Sequence, residues 1–106
     1  MSTKPAGTDQ VRPPELADLV AAAVRSVPGI AGLHSGSFGE AATYLPGRRV
    51  TGVRLRENVA EVHVTLMYGV PVLAAAEQIR AAVAPLVSTP VEVSIEDVVP
   101  GPLAYS

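Results

Sequence analysis

The sequence predicts an α+β domain, a two-layer sandwich in which two helices cover one face of a four-stranded sheet. Two segments have apolar residues at helical spacing, and four have the composition or the alternation of strands. They follow one another in the order helix, three strands, helix, strand. Two helices with one apolar face each cover only one side of such a sheet, so we expect the other side to be open.

Both helices are predicted from apolar positions that recur every three or four residues. The first begins with Pro14 as its first helical residue and stops at the Pro-Gly pair of residues 28–29. The second opens at Pro71, and Pro85 is expected to bend or end it. The predicted buried faces are Leu16, Leu19, Val20, Ala23, Val24 and Val27 in the first helix, and Val72, Ala75, Ala76, Ile79, Val83 and Leu86 in the second.

Residues 50–56 and 59–68 carry the clearest strand patterns, and a short strand is predicted at residues 30–34. The link Glu57-Asn58 is short enough for a hairpin, and its asparagine tolerates a positive φ. The inward residues are then Val53, Leu55, Ala60, Val62, Val64 and Leu66, with Arg54, Arg56, Glu61, His63 and Thr65 on the open face. The last strand directs Val91, Val93 and Ile95 inward and Glu92, Ser94 and Glu96 outward.

Residues 35–47 contain three glycines and one proline, and we interpret them as a long loop. A long loop in a small domain is a common place for a contact surface. The chain is divided into a disordered tail at residues 1–13, one domain at residues 14–99 and a short tail at residues 100–106.

The composition excludes several classes of function. The chain has 106 residues, 48% hydrophobic and 17% charged, with a formal charge of -2 and no cysteine. It therefore suits one packed core, offers no thiolate ligand or nucleophile, and has no overall field that draws it to nucleic acid. We find no signal peptide and no apolar run that spans a bilayer, and we expect a cytoplasmic protein without direct membrane insertion.

No group of residues has the spacing of a catalytic site, so we expect no enzymatic activity and no cofactor. Glu61 and His63 lie two apart on one strand face, but two side chains do not complete a metal site, so no metal is assigned. Residues 36–39 match the bare G-x-x-G of one RNA-binding clamp. They lack flanking helices and basic residues, so we expect no nucleic-acid partner.

A protein-interaction surface is the remaining candidate. Its predicted residues are aromatic side chains of the loop, arginines concentrated within residues 48–56, and polar residues of the open face: Phe38, Tyr44, Arg48, Arg49, Arg54, Arg56, Glu61 and His63. Acidic residues gather on the last strand, as Glu92, Glu96 and Asp97. Either both charged sets are solvated faces, or they pair protomers or dock a charged partner.

The segments VPGIAG at residues 27–32, FGEAATYLPGRRV at residues 38–50 and YGV at residues 68–70, with the strands at residues 59–66 and 91–98, resemble the alkaline-shock/Gls general-stress family of Gram-positive bacteria. The resemblance covers residues 16–99 and is closer to actinobacterial members. It implies a non-enzymatic cytosolic protein of the envelope-stress response that binds proteins or acts as a scaffold. It also implies tethering at the inner face of the membrane by a small membrane protein, and self-assembly into a homo-oligomer.

The order of elements is also similar to that of iron–sulfur assembly domains. That family places a reactive cysteine before its second helix, where this chain has residues 66–71 without one. The alternative function is therefore a small-ligand or metal-binding accessory domain that uses Glu61, His63 and the open face.

Overall fold

The structure is a computed structural model, and it describes residues 15–100. Its elements are helix α1 (Leu16–Arg25), strands β1 (Ile30–Leu33), β2 (Ala42–Leu45), β3 (Arg48–Thr51), β4 (Val53–Leu55) and β5 (Ala60–Met67), helix α2 (Val72–Val83), a 3₁₀ turn (Ala84–Leu86) and strand β6 (Val91–Val99). Two helices and a mixed sheet confirm the predicted α+β class. The predicted tail at residues 1–13, and all but the first residue of the tail at residues 100–106, lie outside the described residues.

Strand β5 lies at the centre of a four-stranded sheet. Strand β6 runs parallel to it along its whole length, from the pair Ala60 and Val91 to the pair Met67 and Val99. The other edge of β5 is shared, because β4 pairs antiparallel with its first residues and β1 pairs antiparallel with its last. The four strands therefore occupy only three positions across the sheet.

The prediction of one long loop at residues 35–47 was wrong, because the second half of this segment is a strand. Strand β2 pairs with β3 in a separate two-stranded sheet, with Tyr44 opposite Arg49. The turn between them contains Pro46 and Gly47, and Gly47 has a φ of +77°. Proline followed by glycine suits a tight turn whose third residue has a positive φ. The Pro-Gly pair therefore closes a hairpin.

The single strand predicted at residues 50–56 is divided at Gly52. Strand β3 before it pairs with β2, and β4 after it pairs with β5. Gly52 has a φ of +83°, and a Cβ at this position would lie 2.8 Å from the Leu33 Cβ and 2.9 Å from the His63 carbonyl oxygen. A glycine is therefore required where the chain leaves the hairpin and enters the main sheet.

The predicted hairpin between residues 50–56 and 59–68 is present as β4 and β5. The Arg56 N–H donates to the Val59 carbonyl oxygen at 2.9 Å, which closes the turn. Within residues 15–100, however, positive φ angles occur only at glycines. Asn58 therefore does not use the conformation on which the prediction relied.

Helix α1 buries a face that is shifted from the predicted one. Its buried residues are Ala17, Val20, Ala21 and Val24. Leu16 and Leu19, which we predicted to be buried, are each 41% exposed. Val27 is buried as predicted, but it lies beyond the end of the helix. Leu16 and Leu19 thus fit the helical spacing without belonging to the buried face.

Helix α2 agrees more closely with its prediction. Its buried residues are Ala75, Ala76, Ile79 and Val83. Val72 is 49% exposed and does not belong to the buried face. The helix ends at Val83, and the 3₁₀ turn that contains Pro85 follows it, as expected for a proline that cannot donate to the helix.

The core lies between the two helices and one face of the main sheet, and it is aliphatic. Its largest fully buried side chains are Leu66, Ile79, Val20, Val24, Val53, Val62, Val64 and Val83. The predicted alternation in β5 is confirmed, with every second residue from Ala60 buried. Val91, Val93 and Ile95 of β6 pack against the same core. Glu61 and His63 therefore lie on the opposite, open face.

Candidate functional site

The eight predicted interaction residues fall into three places. Phe38 lies between β1 and β2, and the β2–β3 hairpin carries Tyr44, Arg48 and Arg49. The other four lie on or beside the main sheet: Arg54 on β4, Arg56 directly after β4, and Glu61 and His63 on β5. The structure joins Arg56, Glu61 and His63 with Glu96 through side-chain contacts, and Arg54 is opposite Glu61 in the pairing of β4 with β5. The hairpin residues form a second cluster that includes Asp18.

A row of polar side chains in contact, Arg56, Glu61, His63 and Glu96, crosses the open face of the main sheet. Arg56 Nε lies 2.8 Å from Glu61 Oε2, and the other Glu61 oxygen lies 3.7 Å from His63 Nε2. On the far side, His63 Nδ1 lies 2.6 Å from Glu96 Oε2. The side chains of Glu61, His63 and Glu96 are only 18%, 13% and 19% exposed. The centre of this face is therefore occupied by contacts within the chain.

Glu96 lies at a β-bulge in strand β6. In the pairing of β5 with β6, Val64 is opposite Ile95 and Thr65 is opposite Asp97. Glu96 is the extra residue of β6 at this register shift. Alternation along β6 places Glu96 on the open face with Ser94, the residue opposite His63, and the bulge leaves Glu96 without a paired residue on β5.

The segment that carries Phe38 lies beside this cluster. The Gly36 N–H donates to His34 Nδ1 at 2.9 Å, and the Phe38 N–H donates to Glu40 Oε1 at 3.0 Å. Hydrogen bonds from its own N–H and from the Phe38 N–H, with the nearby charge of His63, hold the pKa of Glu40 below its usual value. These bonds shape the loop and leave the Phe38 ring 93% exposed.

The metal-binding alternative depended on Glu61 and His63. The structure adds Glu96 to this pair, but within 2.6 Å of one ring nitrogen, where it is a hydrogen-bond partner. Among residues 15–100, no group of three or more His, Cys, Asp or Glu side chains is arranged to hold a metal ion.

The second cluster joins the hairpin to helix α1. Arg48 donates through both terminal nitrogens to the two oxygens of Asp18, at 2.8 and 2.7 Å. This bidentate pair lowers the pKa of Asp18 and raises that of Arg48. On the hairpin, Arg49 Nη1 lies 3.5 Å from the Tyr44 hydroxyl oxygen. The side chains of Arg48 and Arg49 therefore have different neighbours although the residues are adjacent in sequence.

The surface of residues 15–100 includes two grooves. One of about 440 Å³ lies where Leu16 of α1, the β4–β5 turn and the segment after α2 meet. The other, of about 400 Å³, lies between α1 and β3 and is lined by Asp18, Ala21, Arg25, Leu33, Arg48, Arg49, Val50 and Thr51. Arg56, which contacts Glu61, lines the first groove, whereas Glu61, His63 and Glu96 line neither groove.

Sequence reasoning missed the pairing of His63 with Glu96 and of Arg48 with Asp18. The order strand, helix, strand from β5 to β6 was a usable signal, because such a connection places the two strands parallel in one sheet. It would have brought the last strand beside His63. The Arg48–Asp18 pair had no such signal, since the hairpin that carries Arg48 was itself predicted as a loop.

Helices α1 and α2 have 10 and 12 residues, and no helix within residues 15–100 is long and apolar enough to cross a bilayer. Comparison with family models, curated proteins and solved structures found no match.

Proposed function

We propose that this chain is a non-enzymatic protein-binding or scaffold module. The observation that carries the proposal is the position of its aromatic residues. Phe38 is 93%, Tyr44 69% and Tyr68 80% exposed, and these are all the aromatic residues within residues 15–100. The core is built without any of them.

Exposed aromatic rings are unfavourable in a protein that makes no contacts with them. A buried aromatic side chain removes about 150–250 Å² from water, so it contributes strongly to a core or to an interface. Aromatic residues are correspondingly enriched at interfaces and among the residues that dominate binding energy. Leu73, which is 82% exposed at the start of α2, adds apolar surface close to Tyr68 in sequence.

The cellular setting of the proposal depends on the resemblance to the alkaline-shock/Gls family. We place the protein in the envelope-stress response, in the cytoplasm and at the inner face of the membrane through a small membrane protein. The two partners consistent with this setting are that anchor and further copies of the chain.

The test is affinity capture with chemical cross-linking in cells of the natural host. The variant replaces Phe38, Tyr44 and Tyr68 by serine, and the matched control replaces the exposed residues Glu57, Gln78 and Ala81 by serine. Exposed substitutions of this kind usually change the free energy of unfolding by less than about 0.5 kcal/mol, so both variants should fold. We expect the aromatic variant alone to lose the proteins that the unmodified chain captures.

Equal capture by the aromatic variant and the control would contradict the proposed role of the aromatic residues. Recovery of the chain alone would contradict a separate protein partner and favour self-assembly. A small membrane protein among the captured species would support the proposed setting.

A further inference from the structure

The groove between α1 and β3 has an unusual balance of charge. Arg25 lies in the last turn of α1, and Arg48 and Arg49 begin β3, so three guanidinium groups border it. Asp18 is the acidic residue among those that line it. The apolar residues Ala21, Leu33 and Val50 complete its lining.

Arg25 and Arg49 are available for a ligand. Within residues 15–100, no carboxylate oxygen lies within 4.0 Å of a side-chain nitrogen of either arginine, and both residues are exposed. Arg48 is the arginine that Asp18 already neutralises. The lining therefore carries an excess of positive charge, although the whole chain has a formal charge of -2.

The Arg48–Asp18 pair shows which chemistry suits this groove. A planar guanidinium group presents two parallel N–H donors that match the two oxygens of a carboxylate. Arg48 holds Asp18 in this way, with distances of 2.8 and 2.7 Å. Tyr44 is exposed and its hydroxyl lies 3.5 Å from Arg49 Nη1, but it is not among the residues that line the groove.

We propose that this groove binds an acidic segment of a partner protein, with its carboxylates on Arg25 and Arg49. This inference rests on the proposed protein-binding function and names the chemistry of the partner. A peptide occupies only the groove, whereas a membrane surface or a duplex also meets the acidic residues that give the chain its negative charge. The acidic peptide is therefore favoured over an extended polyanion.

Fluorescence anisotropy tests the inference with the full chain and a labelled ten-residue peptide of alternating Glu and Ser. We expect Arg25→Gln and Arg49→Gln to weaken binding by about tenfold each, and added salt to weaken it further. The matched control is Arg80→Gln, because Arg80 lies on α2 and outside the groove, 3.5 Å from Glu77. This control should bind as the unmodified chain does.

Asp18→Asn is the complementary variant. It releases Arg48 and removes the one carboxylate of the groove, so we expect tighter binding of the Glu–Ser peptide. A Lys–Ser peptide of the same length should not bind. Unfolding curves of the four variants, measured in parallel, show that any loss of binding comes from the site and not from the fold.

Equal affinity of the unmodified chain and the Arg25→Gln, Arg49→Gln double variant would overturn the inference. So would binding to phosphatidylglycerol vesicles without binding to the peptide, which would assign the arginines to a lipid surface. In either case capture that depends on the aromatic residues would still support the protein-binding function. The opposite outcome is also distinguishable. If capture no longer depends on the aromatic residues but peptide binding still requires Arg25 and Arg49, the groove is supported and the proposed role of the aromatic residues is contradicted.

Discussion

His63 is the residue at which β5 changes its partner strand on one edge. Its carbonyl oxygen accepts from the His34 N–H at 2.8 Å, and its own N–H donates to the Gly52 carbonyl oxygen at 2.9 Å. Through these two bonds, the hydrogen bonding along this edge of β5 continues from β4 to β1. Its side chain lies between Glu61 and Glu96. A single residue thus connects the backbone of three strands with the polar contacts of the open face.

Gly52→Ala should destabilise the protein by about 2–4 kcal/mol, because alanine adds strain at a positive φ and a Cβ in contact with Leu33 and His63. Urea unfolding followed by far-UV circular dichroism measures the loss. The matched control is Gly47→Ala, where φ is +77° but no atom lies within 4 Å of the new Cβ. This control isolates the conformational strain.

The difference between the two variants therefore measures the close packing at Gly52. Losses of equal size would show that the packing contributes nothing and that the backbone conformation alone requires glycine. Such a result would contradict our account of how the chain passes from the hairpin into the main sheet.

At the scale of elements, the β2–β3 hairpin depends on contacts with its neighbours. An isolated two-stranded hairpin is at best marginally stable in water. Here the Thr43 hydroxyl donates to the Val53 carbonyl oxygen, and the Gly52 N–H donates to the Ala41 carbonyl oxygen at 2.7 Å. Buried Val50 joins the core. The Arg48–Asp18 pair adds a link from the hairpin to α1.

This link should make stability depend on pH. The hydrogen bond from Arg48 lowers the pKa of Asp18 in the folded protein from its ordinary value of 3.8. Asp18 then binds protons less readily in the folded than in the unfolded state, so its contribution is present above that value and is lost as the pH falls through the folded pKa. Unfolding free energies of the unmodified chain and Asp18→Asn should therefore converge as the pH is lowered below about 4.

If the difference in unfolding free energy between the unmodified chain and Asp18→Asn stayed constant from neutral to acidic pH, the stabilising role of the Asp18 carboxylate would be contradicted. Arg48→Gln provides the control, because it removes the other partner and should show the same convergence. Salt should also reduce the effect, since the pair is partly exposed.

At the scale of the whole molecule, β5 is the element on which the others depend. It pairs with β6 along one edge and with β4 and β1 along the other, and its residues Val62 and Val64 are fully buried. The β2–β3 hairpin lies in a separate sheet at the side of this assembly. Opening the hairpin breaks few of the core contacts, whereas opening β5 breaks most of them.

Amide hydrogen exchange should therefore be slowest at residues 62–66 and clearly faster at residues 42–51. Protection reflects the free energy needed to open each part, and the highest values belong to elements that open only with global unfolding. Native-state exchange measured by NMR tests this order. Equal protection of the hairpin and β5 would show that the two sheets unfold as one unit.

The sequence by itself determined the fold class, the two helices, the residues of β5 that face the core and, except for Val72, those of α2. These follow from local periodicity, because burial on one side of a helix or strand requires apolar residues at a spacing of 3.6 or 2. The same periodicity predicted that Glu61 and His63 lie on the open face. The Pro-Gly turn and β2 before it were interpreted as part of a loop, and the strand after the turn was predicted to begin only at residue 50.

Only the tertiary structure decided the position of Glu96 beside His63, the pairing of Arg48 with Asp18, and the arginine-lined groove. The first two join side chains that are 33 and 30 residues apart in sequence. The first depends on the parallel pairing of β5 with β6, and the second on how a hairpin packs against a helix. Such contacts are absent from local periodicity, because periodicity records which side of an element is buried and not which element covers it.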